Sequence, residues 1–173
     1  GLRLKQEARA FLDENLTDDV RRQVHETGTF HSDSFHKSLA ERGWLALEWP
    51  EEYGGAGKDP FEVVAIREEF ADASAPMYGA ATTMMIAGVI REIGTDAQKA
   101  EMVPRVLSGD VVIVLGFTEP ESGSDVAAAA TKAVRDGEEW VINGQKMFTT
   151  NAHVADYVFL LARTNPDVPK HKG

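Results

Sequence analysis

The apolar run Val111 to Phe117 ends in a polar segment, Thr118-Glu119-Pro120-Glu121-Ser122-Gly123-Ser124-Asp125. A strand that stops in such a loop can present backbone N–H groups and hydroxyls to an anionic or polar ligand: Gly123 allows close backbone approach and Ser124 adds a donor. The same residues also suit a simple capped turn, with Ser124 or Asp125 satisfying local amides. A second candidate lies on a helical stretch, where Tyr78, Ala81, Thr82 and Met85 recur at i, i+3, i+4 and i+7 and so share one face. The spacing by itself is that of ordinary core packing.

Other residue types capable of chemistry fall short on context. Gly54-Gly55-Ala56-Gly57-Lys58 looks superficially like a phosphate loop, but Asp59 stands where Ser or Thr is required and no β-branched strand leads into it, so a plain turn is expected. His25, His31, His36, His153 and His171 lack the i, i+3 or i, i+4 spacing of a helical metal site. They read as surface histidines, and no metal is expected. The pairs Glu51-Glu52 and Glu68-Glu69 read as solvated faces.

The elements that must position these residues change character near Gly109 and Asp110. Before that point the pattern is helical. Leu4, Ala8, Phe11 and Leu12 form one stripe, and Phe35, Leu39 and Ala40 form another after Ser32, a candidate N-cap. Pro60 suits the first turn of a third helix whose stripe is Val63, Ile66, Phe70 and Ala73, with Glu62, Glu69 and Asp72 facing out. A fourth helix, about Met77 to Ile93, is apolar on most sides and is expected inside the bundle, ending at Gly94. Thr95 and Gln98 form a capping box for a fifth, which Pro104 is expected to break and restart.

After Asp110 the segments are short and β-like. Thr131 to Arg135, Glu139 to Ile142 and Lys146 to Thr150, divided by Asp136-Gly137 and Asn143-Gly144, read as a meander, and Tyr157 to Ala162 as another strand. The expectation is an α+β chain: a helical domain over residues 1–109 and part of an antiparallel β domain over residues 110–173, about five strands ending on an uncovered edge. Gly1 is an unusual native start, so an upstream segment is also expected.

The composition narrows the function classes. With 173 residues and 43% hydrophobic residues the chain can fill a core. Its net charge of -10 would repel a phosphate backbone, so nucleic acid is not an expected partner. The absence of cysteine removes disulfides, thiolate metal sites and Cys nucleophiles, and suits a reducing compartment, the cytoplasm or the mitochondrial matrix. The most apolar stretch, Ala75 to Ile90, is broken by Thr82 and Thr83 and falls short of a membrane span, and no secretory signal is visible.

Taken together, Thr118-Glu119-Pro120 followed by Gly123-Ser124-Asp125, and Asn143-Gly144-Gln145-Lys146-Met147-Phe148-Thr149-Thr150-Asn151 further on, resemble the linked signatures of acyl-CoA dehydrogenases. Tyr53-Gly54-Gly55 and Gly94-Thr95 fit the same family, so the resemblance covers nearly the whole chain and stops before the family's C-terminal four-helix domain. The resemblance implies FAD as cofactor, with Phe117 and Thr118 on the pyrimidine side of the flavin and Thr150 near its N5. Gly123 and Ser124 would line the junction of cofactor and CoA thioester, and the helix carrying Tyr78, Ala81 and Met85 would border the acyl chain. Phe148 stands where the family commonly has Trp against the flavin, so a ring contact survives without the indole N–H. Phe117 replaces a smaller aliphatic residue.

The implied reaction removes an α-proton and transfers the β-hydride to flavin N5, with electrons leaving to an electron-transfer flavoprotein. The catalytic base is expected in the C-terminal region beyond this chain, so no catalytic residue is assigned here. Glu119, Glu121 and Asp125 are given loop-shaping roles. A homo- or hetero-tetramer is implied for the full-length protein. Two alternatives use the same platform: an acyl-CoA oxidase or flavin monooxygenase, and a non-catalytic partner subunit of a mixed oligomer.

Overall fold

A computed structural model describes residues 2–173. Among the described residues six α-helices precede four short strands, the α+β arrangement expected. The chain divides into two compact units, one running up to Ile113 and one from Val114 to Gly173.

The helical unit is built by apolar stripes meeting around aromatic rings. α1 (Leu2–Asn15) buries Leu4, Ala8, Phe11 and Leu12, and packs on α4 (Pro60–Asp72), which buries Val63, Ile66 and Phe70. α3 (Asp33–Glu41) adds Phe35 and Leu39. Phe11, Phe35, Trp44 and Phe70 form the centre, with ring centroids 5.1 to 6.2 Å apart. α4 opens with the full capping box of Asp59 and Glu62 behind Pro60, and α6 (Asp96–Leu107) with that of Thr95 and Gln98.

Several details depart from the pattern reading. A further helix, α2 (Asp18–Thr27), lies where no stripe was evident; it is capped by Thr17 and stopped by Gly28 at φ +65°, and buries only Val20. Capping and acidic first-turn residues make such a helix, and periodicity does not reveal it. Ser32 precedes α3 but makes no side-chain cap; its hydroxyl pairs with that of Ser34. Pro104 leaves α6 unbroken. The carbonyl it deprives of a donor belongs to Ala100, on an exposed stretch where water can serve instead. Glu69 is buried rather than solvated, because Arg9 clasps it with two hydrogen bonds of 2.6 and 2.9 Å. The Arg9 guanidinium holds its carboxyl below the usual carboxylate range.

α5 (Tyr78–Ile93) does not lie wholly inside the bundle. It buries Gly79, Ala80, Thr82, Thr83, Ile86 and Ala87 but leaves Tyr78, Met85 and Ile93 exposed. Its two threonines have distinct uses. Thr82 donates to the Tyr78 carbonyl at 2.9 Å, while fully buried Thr83 accepts from the Ile113 amide at 2.9 Å and so satisfies the backbone as the chain leaves the helices. His31 and His36 are also buried, with rings 5.2 Å apart, which overturns their reading as surface residues.

The β unit is not the expected five-stranded sheet. β1 (Ile113–Gly116) pairs with β4 (Tyr157–Leu160), and β2 (Lys132–Asp136) pairs antiparallel with β3 (Glu139–Asn143) in the register Val134 to Val141. Gly137, at φ +63°, makes the two-residue hairpin turn. Lys146 to Thr150 is not a strand. Gly144 is not a second hairpin turn; a Cβ there would lie 2.3 Å from the Thr131 hydroxyl, so the residue is needed for close approach. Of the presumed edge run, Tyr157 and Val158 are exposed, whereas Phe159 to Ala162 are half-buried.

Candidate functional site

The two signature segments meet inside the β unit. Lys146 reaches across to donate to the Phe117 carbonyl at 3.2 Å and to Glu119 at 2.7 Å, and the Met147 amide donates to the Thr118 carbonyl at 2.8 Å. Residues 117–119 and 146–147 are thereby held side by side. Sequence reasoning does not single out Lys146, because a lone Lys in a β-like run carries no pattern.

Glu119 organises this corner. Its side chain, 7% exposed, accepts from the Ala130 amide at 2.6 Å and the Thr131 amide at 2.9 Å as well as from Lys146. Its own amide and carbonyl exchange bonds of 2.8 and 3.2 Å with Ser122, pinching the loop. Burial by itself would push the carboxyl up, but the hydrogen bonds from Lys146, Thr131 and Ala130 outweigh it and hold the pKa down to about 2. A carboxylate so weakly basic and fully engaged is a structural anion and is unsuited to proton abstraction near neutral pH.

Beyond the pinch the loop opens. Gly123 and Ser124 are exposed, and nothing lies within 4 Å of a Cβ built on Gly123. Asp125 is tied to Lys170 at 2.5 Å. Phe117 is half-buried with its ring 6.0 Å from that of Phe159, and Thr118 is half-buried beside it. On the partner segment Phe148 takes φ +55° and is 82% exposed, an uncommon conformation for an aromatic residue whose ring nothing in this unit covers. Thr150 is exposed, and the next residue, Asn151, is buried with its side-chain amide nitrogen lacking a partner among the described residues. Ser122 likewise buries a hydroxyl without a partner among the described residues. An exposed aromatic ring such as that of Phe148 can stack on a planar heterocycle.

In the helical unit, the face of α5 expected to border an acyl chain divides. Thr82 turns into the core, while Tyr78, Ala81 and Met85 are exposed. Ala81 and Met85 line a cavity of about 550 Å³ between α4, α5 and the Trp44 to Trp49 segment; Tyr78 does not. The size lies in the range of about 300–1,000 Å³ typical of small-molecule pockets. Trp44 to Trp49 carries no periodicity, and its part in the cavity is not legible in the sequence. Among the described residues no cluster of metal-ligating side chains occurs, and no helix is long and apolar enough to cross a membrane.

Comparison with known proteins bears directly on this arrangement. Residues 2–110 match the family model of the acyl-CoA dehydrogenase N-terminal domain, and residues 114–173 that of the middle domain. The chain belongs to the acyl-CoA dehydrogenase family. It is 35% identical over 173 residues to acyl-CoA dehydrogenase FadE29 of Mycobacterium tuberculosis, covering 98% of this chain and 44% of that protein. Among solved structures it is similar to the Tcur3481-Tcur3483 steroid ACAD, with a TM-score of 0.88 and 40% identity over 99% of this chain and 45% of the other. It also resembles a glutaryl-CoA dehydrogenase from Mycobacterium smegmatis in complex with FADH2, with a TM-score of 0.77 and 30% identity over 94% and 42% of the two chains. The chain thus spans less than half the length of these acyl-CoA dehydrogenases.

Proposed function

We propose that this chain is the flavin-binding and acyl-binding part of an enzyme that desaturates an acyl-CoA thioester at its α,β bond, with electrons passing to an electron-transfer flavoprotein. The observation that supports the reading is the clamp of Lys146 and Met147 on Phe117 to Glu119, which joins the two signature segments. Bound FAD would supply the hydride acceptor. Phe117, Thr118, Phe148 and Thr150 would hold its ring system, Gly123 and Ser124 would meet the thioester end, and Tyr78, Ala81 and Met85 would border the acyl group. The neighbour solved with FADH2 supports the cofactor, and the steroid ACAD neighbour supports a bulky acyl group.

With Glu119 committed to the loop, the base belongs to a part of the protein outside this chain, and the 173 residues alone would not turn over. A non-catalytic partner subunit is the second reading, favoured by the two-protein name of the Tcur3481-Tcur3483 neighbour. The test is the visible spectrum of the full-length protein. It is expected to purify with FAD, and Thr150→Ala is expected to shift the flavin spectrum or slow its reduction by acyl-CoA, while His171→Ala does neither. A protein that takes up no FAD refutes the reading; one that binds FAD but is reduced by acyl-CoA only with a second chain present supports the partner subunit.

A further inference from the structure

Residues 44–49 and the first half of α5 both line the cavity of the helical unit, α5 through Ala80, Ala81, Met84 and Met85. One side chain outside the lining joins the two. Arg91, further along α5, holds its guanidinium carbon 4.7 Å from the ring centroid of Trp49 and 5.0 Å from that of Tyr53. Trp49 lines the cavity, whereas Arg91 and Tyr53 do not.

The Arg91 charge has little else to compensate it. Its side chain is 23% exposed, and its ion pair, 3.0 Å to the neighbouring Glu92, is with a carboxylate that water screens. Its Nη1 is buried and has no hydrogen-bond partner among the described residues. The two ring faces therefore replace much of the lost water, and a planar guanidinium stacks on them as an ammonium cannot. The backbone of Trp49 is fixed separately. Its carbonyl accepts from the Gly57 amide at 2.9 Å, its amide donates to the Ala46 carbonyl at 3.2 Å, and a Cβ on Gly55 would lie 2.1 Å from its carbonyl oxygen, so the loop carrying Tyr53 folds directly onto it. Those contacts set the backbone and leave the side-chain torsions open; the stack on Arg91 restricts them.

We propose that Arg91 is a positioning residue for acyl specificity: by holding the Trp49 indole it fixes the capacity of the cavity, about 550 Å³, and so sets the largest acyl group admitted. It acts through Trp49 and touches no ligand. The assignment rests on the acyl-CoA dehydrogenase reading above, with the acyl group in this cavity, and adds the device that limits its size. A boundary residue that cannot move rejects surplus methylenes by overpacking, and one free to change rotamer admits them.

The experiment follows kcat/KM of the full-length, FAD-loaded enzyme over a panel of acyl-CoA thioesters in which straight-chain, branched and cyclic acyl groups are each lengthened by one methylene at a time. The native enzyme is expected to show a sharp fall beyond a limiting size. Arg91→Met is expected to shrink that fall by about tenfold, carried by KM, and Arg91→Lys to shrink it less. Trp49→Leu should act as Arg91→Met does, and the double variant should add nothing to either, because both act at one boundary. A native profile with no limit, a limit unmoved by Arg91→Met, or effects that add in the double variant would overturn the proposal and leave the dehydrogenase reading standing. Turnover of every thioester lowered equally would also overturn it, since it marks a purely structural role. Should Arg91→Met fail to hold FAD, Trp49→Leu decides: an unmoved limit there is equally fatal. A native protein that binds no FAD and oxidises no thioester removes the dehydrogenase reading, and the proposal with it.

Discussion

The helical and β units are held together by opposite means. In the helical unit large apolar side chains are buried around four aromatic rings, and its charges sit mainly at the rim. In the β unit the buried apolar side chains are few and small, Val114, Ala129 and Ala133, while Val134, Trp140, Ile142, Phe148 and Val158 are exposed. What orders it is polar. Glu119 gathers three donors, and the Arg163 guanidinium donates to the Ala129 and Ala127 carbonyls at 3.0 and 2.6 Å while its backbone bridges to residues 131 and 133. A core made of area tolerates the loss of any one polar bond; a frame made of charged hubs depends on each of them.

That contrast is sharpest in paired truncations. Glu119→Ala would leave the Lys146 ammonium and two amides buried without their acceptor, and is expected to destabilise the β unit by about 3–5 kcal/mol. Phe35→Ala is expected to cost the helical unit a similar amount, about 3–5 kcal/mol, through lost burial and the cavity left behind. Hydrogen exchange resolves the two: the first variant should speed exchange at residues 117–122 and 130–133 while α5 stays protected, and the second should do the reverse. Equal acceleration in both units by either variant would break the comparison.

Acid should separate the units as well. His36 is 3% exposed and its ring nitrogens have no hydrogen-bond partner among the described residues, with His31, Asp33 and Lys37 around it. Burial, with help from His31, lowers its pKa to about 4. The unfolded chain therefore binds a proton more readily below about pH 6.5, and the helical unit loses stability as pH falls from there through 4, in all roughly 3 kcal/mol. Glu119 has its carboxyl held down to about 2, so its contribution persists until pH falls below the ordinary carboxylate range near 4.5. Circular dichroism at pH 5 should report a loosened helical unit over an intact β unit, and His36→Phe should remove the first transition.

At the small end, Trp140→Ala should change stability by no more than about 0.5 kcal/mol despite removing the largest side chain type, because half of the indole already faces solvent. A thermal-melt shift comparable with that of Phe35→Ala would mean that the β unit has an apolar core after all.

Much of this was legible in the sequence, for identifiable reasons. Helical stripes at Leu4 to Leu12 and Val63 to Phe70, the capping boxes at Asp59 and Thr95, and the Asp136-Gly137 hairpin depend on neighbours a few residues away, so composition and spacing determine them. The paired signatures at Thr118 to Asp125 and Asn143 to Asn151 placed the family in the same way. The burial of His31, His36 and Glu69, the clamp of Lys146 on Glu119, the stop that Thr83 gives to Ile113, and the walls of the cavity join residues far apart in the chain. Nothing local marks a Lys as the partner of a Glu 27 positions away, or a histidine as sealed from water. Those outcomes were decided by the tertiary structure, because desolvation and hydrogen-bond satisfaction are properties of what closes around a group, and only the packed chain supplies the closure.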